Sequence, residues 1–248
     1  GDCPRVVLAP TDTGSCYDAT VLALYIAEKY QTLVVILLDF FLSNSIKNID
    51  IPVKPGPDLL DANVAPKTED LTDYQRYKIT PNGISPRTIP GTPGGIYFST
   101  GLEHDEYGRP TYTKAGHLAM TRKRFDKFQR VLTEAPAPVI TQGRDETIDI
   151  GVVSWGSSAG AAHEAVMTAQ NQGMRAAAFS SVMLSPFPED ALVAFAGKCQ
   201  KILVPELNFS GQFANFVTQV LKRPVERLNF ITGRPMASED ILQKMREM

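Results

Sequence analysis

From residue 148 onward, short apolar runs alternate with longer amphipathic ones, and this alternation restricts the fold more than any other feature of the chain. The strand-like runs fall at 148–154, 176–184, 201–205 and 227–231, and helical spacing occupies 158–172, 188–196, 210–222 and 238–247. A β-α order repeated four times predicts a doubly wound parallel sheet with helices on both faces. Gly173 stands where a glycine would close the first of these helices, and Ser238-Glu239-Asp240 supplies a cap and favourable charge to the last. We take 148–248 as one domain.

The beginning of the chain carries a shorter version of the same signal. RVVLAP (5–10) reads as a buried strand, 15–30 as a helix apolar almost all round, and LVVILLD (33–39) as a strand covered on both faces. Ser15 followed by Asp18 resembles a capping box, and so apolar a helix is expected to be buried on more than one side. One βαβ unit cannot enclose a core, so residues 1–50 are expected to be the end of a larger α/β domain.

Between these regions, prolines at 52, 55, 57, 66, 81, 86, 90 and 93 exclude long helices, while Tyr74, Tyr77, Ile84, Ile96, Tyr97 and Phe98 supply anchors that a disordered linker lacks. Residues 51–147 are therefore expected to form an ordered interdomain crossing plus one helix at 114–134. That helix should bury Leu118, Thr121, Phe125, Phe128 and Leu132. Its other face carries Arg122, Lys123, Arg124, Lys127 and Arg130, either solvated or docking an acidic partner.

Several motifs suggest chemistry. Gly156-Ser157-Ser158-Ala159-Gly160 fits the G-x-S-x-G elbow, but the only downstream histidine, His163, lies on the same helix and cannot take a proton from Ser158. The glycines are then explained by a tight strand-to-helix turn with a serine cap and close helix–sheet packing. His163-Glu164 begins like a zinc motif in which Met167 replaces the second histidine. Glu103-His104-Asp105-Glu106, with His117 nearby, is rich in potential ligands but lacks metal-site spacing. Its carboxylates are read as accepting backbone donors, with His104 packed between domains, or as an active-site or subunit-contact cluster. Arg87 and Arg109 are the nearest cations expected to pair with them.

Composition removes other classes. With 25 basic and 27 acidic residues the net charge is -2, which gives no general attraction to nucleic acid or to an anionic membrane. No apolar run is long enough for a membrane span, and no signal peptide is visible. Cys3, Cys16 and Cys199 are too scattered for a disulfide framework or a cysteine-held metal centre, so a reducing cytoplasm is expected.

Longer strings are more specific. PRVVLAPTDTGSCYDATVLALYIAEKYQTLVVILLD (4–39), ISPRTIPGTPGGIYFSTGLEHDEYGRPT (84–111), KRFDKF (123–128), LSPFPEDAL (184–192) and VPELNFSGQF (204–213) together resemble the α subunit of 2-oxoacid:ferredoxin oxidoreductases, closest to the 2-oxoglutarate type. The chain departs from relatives at Phe40, where a polar residue is usual. The resemblance implies thiamine-diphosphate-dependent oxidative decarboxylation of a 2-oxoacid, with coenzyme A taking the acyl group and ferredoxin the electrons.

It further implies that 1–50 is the end of the pyrimidine-binding domain, whose remainder lies in a missing N-terminal part of the α subunit. Residues 148–248 then resemble the transketolase C-terminal domain. Thiamine diphosphate, Mg2+ and an iron–sulfur cluster belong to the full complex with a β subunit, and none is held by this chain alone, which is expected to be inactive by itself. No catalytic residue and no metal ligand is expected here. Arg87, Glu103, His104, Asp105, Glu106 and Arg109 are the substrate-binding or subunit-contact candidates. The alternative is a non-enzymatic α/β interaction module of the same architecture.

Overall fold

A computed structural model describes residues 2–48, 71–135, 138–143 and 147–248. The first part of the expected crossing, 51–70, with Pro52, Pro55, Pro57 and Pro66, lies outside the described residues. The elements are β1 (Val6–Leu8), α1 (Thr13–Tyr30), β2 (Val34–Ile36), α2 (Phe40–Ser43), α3 (Lys114–Glu134), β3 (Val139–Gln142), β4 (Ile148–Ser154), α4 (Ser158–Asn171), β5 (Ala176–Ser181), β6 (Met183–Ser185), α5 (Glu189–Ala196), β7 (Cys199–Glu206), α6 (Gln212–Leu221), β8 (Glu226–Asn229) and α7 (Ser238–Glu247). Two compact units divide the described residues. One takes in 2–6, 21–35 and 71–135, the other 7–20, 36–48, 138–143 and 147–248.

The second unit contains the expected sheet, in the order β3-β5-β4-β7-β8. β5, β4, β7 and β8 pair in parallel. Successive side chains along these strands enter opposite cores: Ala177, Phe179, Ile202 and Val204 pack with Leu192, Phe195, Phe213 and Val217, while Ala176, Ala178 and Leu203 pack with Ala162, Val166, Ile241 and Met245. Burial on both faces is why the strands read as continuous apolar runs. At Gly151 a Cβ would come within 2.6 Å of the Cys199 Sγ, so the β4–β7 side of this core has no room for another residue.

Three details differ from the sequence reading. β3 adds an antiparallel edge strand through Val139↔Ser181 and Gln142↔Ala178, and nothing in its four residues marks it. The run 176–184 is two strands, because the chain leaves the large sheet at Val182 and β6 pairs antiparallel with β1 through Leu8↔Met183. Gly173 does close α4, with φ 84°, but Ser238 is the first residue of α7 rather than its cap. There Asp240 reaches back to accept the Ala237 N–H at 2.9 Å.

β1 takes its place in a small sheet of order β2-β1-β6. α1 begins two residues before the expected Ser15. Asp12 is its cap, accepting the N–H groups of Gly14 and Ser15 at 2.7 and 3.0 Å, and Asp18 has no such role. Ala19, Ala23, Ile26 and Tyr30 form one buried stripe and Leu24 is exposed, so α1 is fully buried along a single side.

Candidate functional site

α3 spans the expected residues, and Thr113 caps it by accepting the Gly116 N–H at 3.1 Å. Its buried face is not the expected one. Met120, Lys123, Phe128 and Val131 point inward, whereas Phe125 is 38% and Leu118 44% exposed. Neither reading of the basic stripe holds as a whole. Lys123 is buried and donates to the Tyr77 carbonyl at 2.6 Å and the Ser85 hydroxyl at 2.5 Å. Lys127, half-buried, donates to the Gln31 carbonyl at 2.7 Å. Burial, followed by the neighbouring cations, pushes these ammonium groups down to about 7 and about 8.

The acidic string folds as a turn stitched across by its own backbone. Asp105 donates its N–H to the Arg109 carbonyl at 2.9 Å, and its carboxylate accepts the N–H groups of Tyr107 and Arg109, each at 2.9 Å. Gly108 sits at φ 86°, where a Cβ would run into the Phe98 carbonyl, so only glycine fits. Glu106 accepts the Tyr77 N–H on its carbonyl and the Ile79 N–H on its carboxylate, at 2.9 and 2.7 Å. His104 bonds the Asp105 carbonyl through Nδ1 and lies 4.1 Å from the Tyr77 ring, inside this unit.

Glu103 accepts both arms of Arg124, at 3.0 and 2.7 Å, together with His117 Nδ1 at 2.6 Å. Arg124 foremost holds its carboxyl at about 2. This corrects the expected pairing, since Arg87 reaches Glu28 and the Arg109 guanidinium lies over the Tyr107 ring. Five of the six candidates therefore share one turn and Arg87 stands apart from it. His117 stood out only as a nearby histidine and Arg124 and the two lysines only as part of a basic stripe, because a run of charges on a helix does not show which of them turn inward.

In the other unit the elbow is structural. Ser158 is buried and donates to the Trp155 carbonyl at 2.7 Å, while His163 meets Ser180 at 3.1 Å. Gly156 adopts φ 59°, as the turn requires, but Gly160 has open space at its Cβ position and Ser157 bonds Asp39 rather than capping the helix. The ELN-x-x-GQ string is explained in the same way. Glu206, 1% exposed, accepts the N–H groups of Phe213 and Ala214 at 2.9 and 2.7 Å and the Asn208 amide at 2.6 Å, closing the start of α6. Between the carboxyl ends of β4 and β7, whose following helices pack on opposite faces, lies a cavity of about 350 Å3 lined by Asp39, Trp155, Ser157, Glu206, Asn208 and Gln212. Such switch points commonly hold ligands. Here the two carboxylates are already engaged, Asp39 by Ser157 and Glu206 by Asn208.

Among the described residues no group of three or more His, Cys, Asp or Glu is placed to hold a metal ion, and no helix is long and apolar enough to cross a membrane. Cys3 is exposed, Cys16 half-buried and Cys199 buried, with burial pushing the Cys199 thiol up to about 11.

Two family models match in tandem: pyruvate flavodoxin/ferredoxin oxidoreductase, thiamine diphosphate-binding, over 2–123, and pyruvate:ferredoxin oxidoreductase core domain II over 148–241. The chain is 31% identical to the α subunit of 2-oxoacid:ferredoxin oxidoreductase 2 from Aeropyrum pernix, over 97% of this chain and 38% of that one. It is 30% identical to the 2-oxoglutarate synthase subunit KorA of Methanothermobacter marburgensis, over 100% of this chain and 65% of the relative. The solved 2-oxoglutarate:ferredoxin oxidoreductase from Magnetococcus marinus, with 2-oxoglutarate, coenzyme A and succinyl-CoA bound, superposes with a TM-score of 0.88 at 34% identity, covering 100% of this chain and 42% of that one. The chain thus spans about two fifths of the length of the first of these relatives. With paired family models along the sequence and agreement in both identity and fold, the chain is similar along nearly its whole length to the α subunits of 2-oxoacid:ferredoxin oxidoreductases.

Proposed function

We propose that this chain is part of the α subunit of a 2-oxoacid:ferredoxin oxidoreductase, with 2-oxoglutarate as the first candidate substrate, coenzyme A as acyl acceptor and ferredoxin as electron acceptor, working in the cytoplasm. The observation that carries this reading is the full-length superposition on the Magnetococcus marinus enzyme. In such a reaction thiamine diphosphate supplies the electron sink for decarboxylation. The described residues offer no donor set for Mg2+, and their three thiols stand in separate environments, so they do not fit Mg2+ or an iron–sulfur cluster. We assign both, with the diphosphate, to a β subunit.

What this chain contributes is shape. In the 103–109 turn the three carboxylates are spent on Arg124, His117 and backbone N–H groups, which favours a rigid contact surface over a substrate clamp. Its surroundings suit such a contact, since Ile96, Phe98, Leu102 and Tyr112 are exposed. We assign residues 1–50 to the end of the pyrimidine-binding domain and 148–248 to the domain that organises subunit packing.

The test is to purify the α subunit containing this chain with its β subunit and follow reduction of a viologen dye. Reduction is expected only with both 2-oxoglutarate and coenzyme A present, and none from the chain alone. Failure of the complex with every 2-oxoacid would overturn the assignment, and dye reduction by the chain alone would overturn the division between subunits. Arg109→Glu should weaken α–β association without unfolding the chain, and unchanged association would remove the turn from the interface.

A further inference from the structure

The inward-facing cations of the first unit are short of acceptors. Arg76 donates one Nη1 bond to the Gln31 side-chain oxygen at 2.8 Å, while its Nε is buried with no hydrogen-bond partner. Lys127 uses one of its three N–H groups, on the Gln31 carbonyl, and Lys123 uses two, on Tyr77 and Ser85. Gln31 in turn donates to the Ser85 carbonyl at 2.6 Å, so the three cation heads gather around the single Gln31–Ser85 link. The Tyr77 ring lies under two of them, 5.1 Å from the Arg76 guanidinium carbon and 5.9 Å from Lys123 Nζ.

Among the described residues no carboxylate bonds any of the three. The charged groups acting on Lys123 are Lys127, Arg76, Glu106 and Arg124, and Arg124 is already neutralised by Glu103. Those acting on Lys127 are Arg76 and Arg124. Among the described residues Glu106 is the one acid acting on Lys123, and no acid stands among the charges acting on Lys127. Buried charges are ordinarily paired, and a buried donor without an acceptor is destabilising.

We propose that Arg76, Lys123 and Lys127 form a binding site for a small oxyanion, a phosphate or carboxylate group whose oxygens accept the N–H groups left over around Gln31. An anion there would supply both the missing acceptors and the missing negative charge, and would hold the lysines protonated.

The probes are inorganic phosphate and succinate, titrated calorimetrically into the whole chain, with chloride at matched ionic strength as the control. Saturable binding of either probe over chloride is expected, and which of the two binds identifies the class. Arg76→Gln and Lys127→Gln should each weaken it by about tenfold or more, the loss of one charge-assisted bond. Arg122→Gln, on the exposed side of α3, should leave it unchanged. At pH 8 the binding heat should change with the ionisation enthalpy of the buffer, because the anion draws protons onto the lysines. This readout needs no variant and survives if the substitutions unfold the chain. No binding beyond chloride, equal affinity in all three variants, or binding without proton uptake would each overturn the proposal.

Discussion

The two units have solved the problem of an interior differently. Around the large sheet the core is apolar on both faces, built from residues such as Phe179, Leu192, Leu203 and Ile241. Under α3 the interior mixes apolar Met120, Phe128 and Val131 with a cation, Lys123, whose charge is answered by a carbonyl and a hydroxyl. In the first case stability follows from area removed from water and is read from hydrophobic periodicity. In the second it depends on hydrogen-bond partners distant in sequence, which no periodicity reports.

The comparison can be pressed hardest at Glu206, among the described residues the one buried carboxylate of the apolar unit. Glu206→Ala leaves two backbone N–H groups of α6 and the Asn208 amide without their acceptor, and should cost about 3–5 kcal/mol. Urea denaturation would show it as a lower midpoint at unchanged slope. A loss below about 1 kcal/mol would mean that water replaces the carboxylate and the cap is dispensable.

On α3 the two phenylalanines should separate cleanly. Phe128→Ala should cost about 3 kcal/mol and Phe125→Ala less than about 1 kcal/mol, since one ring is 9% and the other 38% exposed. Equal losses would restore the apolar face that the sequence suggests.

Acid stability probes Glu103. Its carboxyl is held at about 2 against an ordinary 4.5, so its contribution is complete above pH 4.5 and fades as the pH falls toward 2. Glu103→Gln should lose about 1–2 kcal/mol at pH 7 and flatten the acid limb. An unchanged acid limb in thermal melts would count against the Arg124 pair.

Smallest at neutral pH, and larger above it, is the effect of Lys123→Met. The folded ammonium titrates near 7 and the unfolded one near 10.5, so between those values the unfolded chain binds more protons and stability rises with pH. The variant should lie within about 1 kcal/mol of the parent at pH 7 and lose part of that rise, the remainder belonging to Lys127. A parent whose stability is flat from pH 7 to 10 would show that the lysines stay charged and paired when folded.

By itself the sequence determined the β-α alternation of 148–247, the bounds of α3 and the glycine that ends α4, because burial on both faces of a parallel strand and the closing of a helix are local in the chain. It also exposed Ser158 as a turn residue, since no base could follow it. Only the tertiary structure decided which face of α3 turns inward, how the acidic turn spends its charges, and that β6 leaves the large sheet for β1. Lys123 could be buried only because Tyr77 and Ser85, 46 and 38 residues away, bring it a carbonyl and a hydroxyl. A lysine's cost of burial is set by such partners, and the residues adjacent to it in the chain carry no record of them.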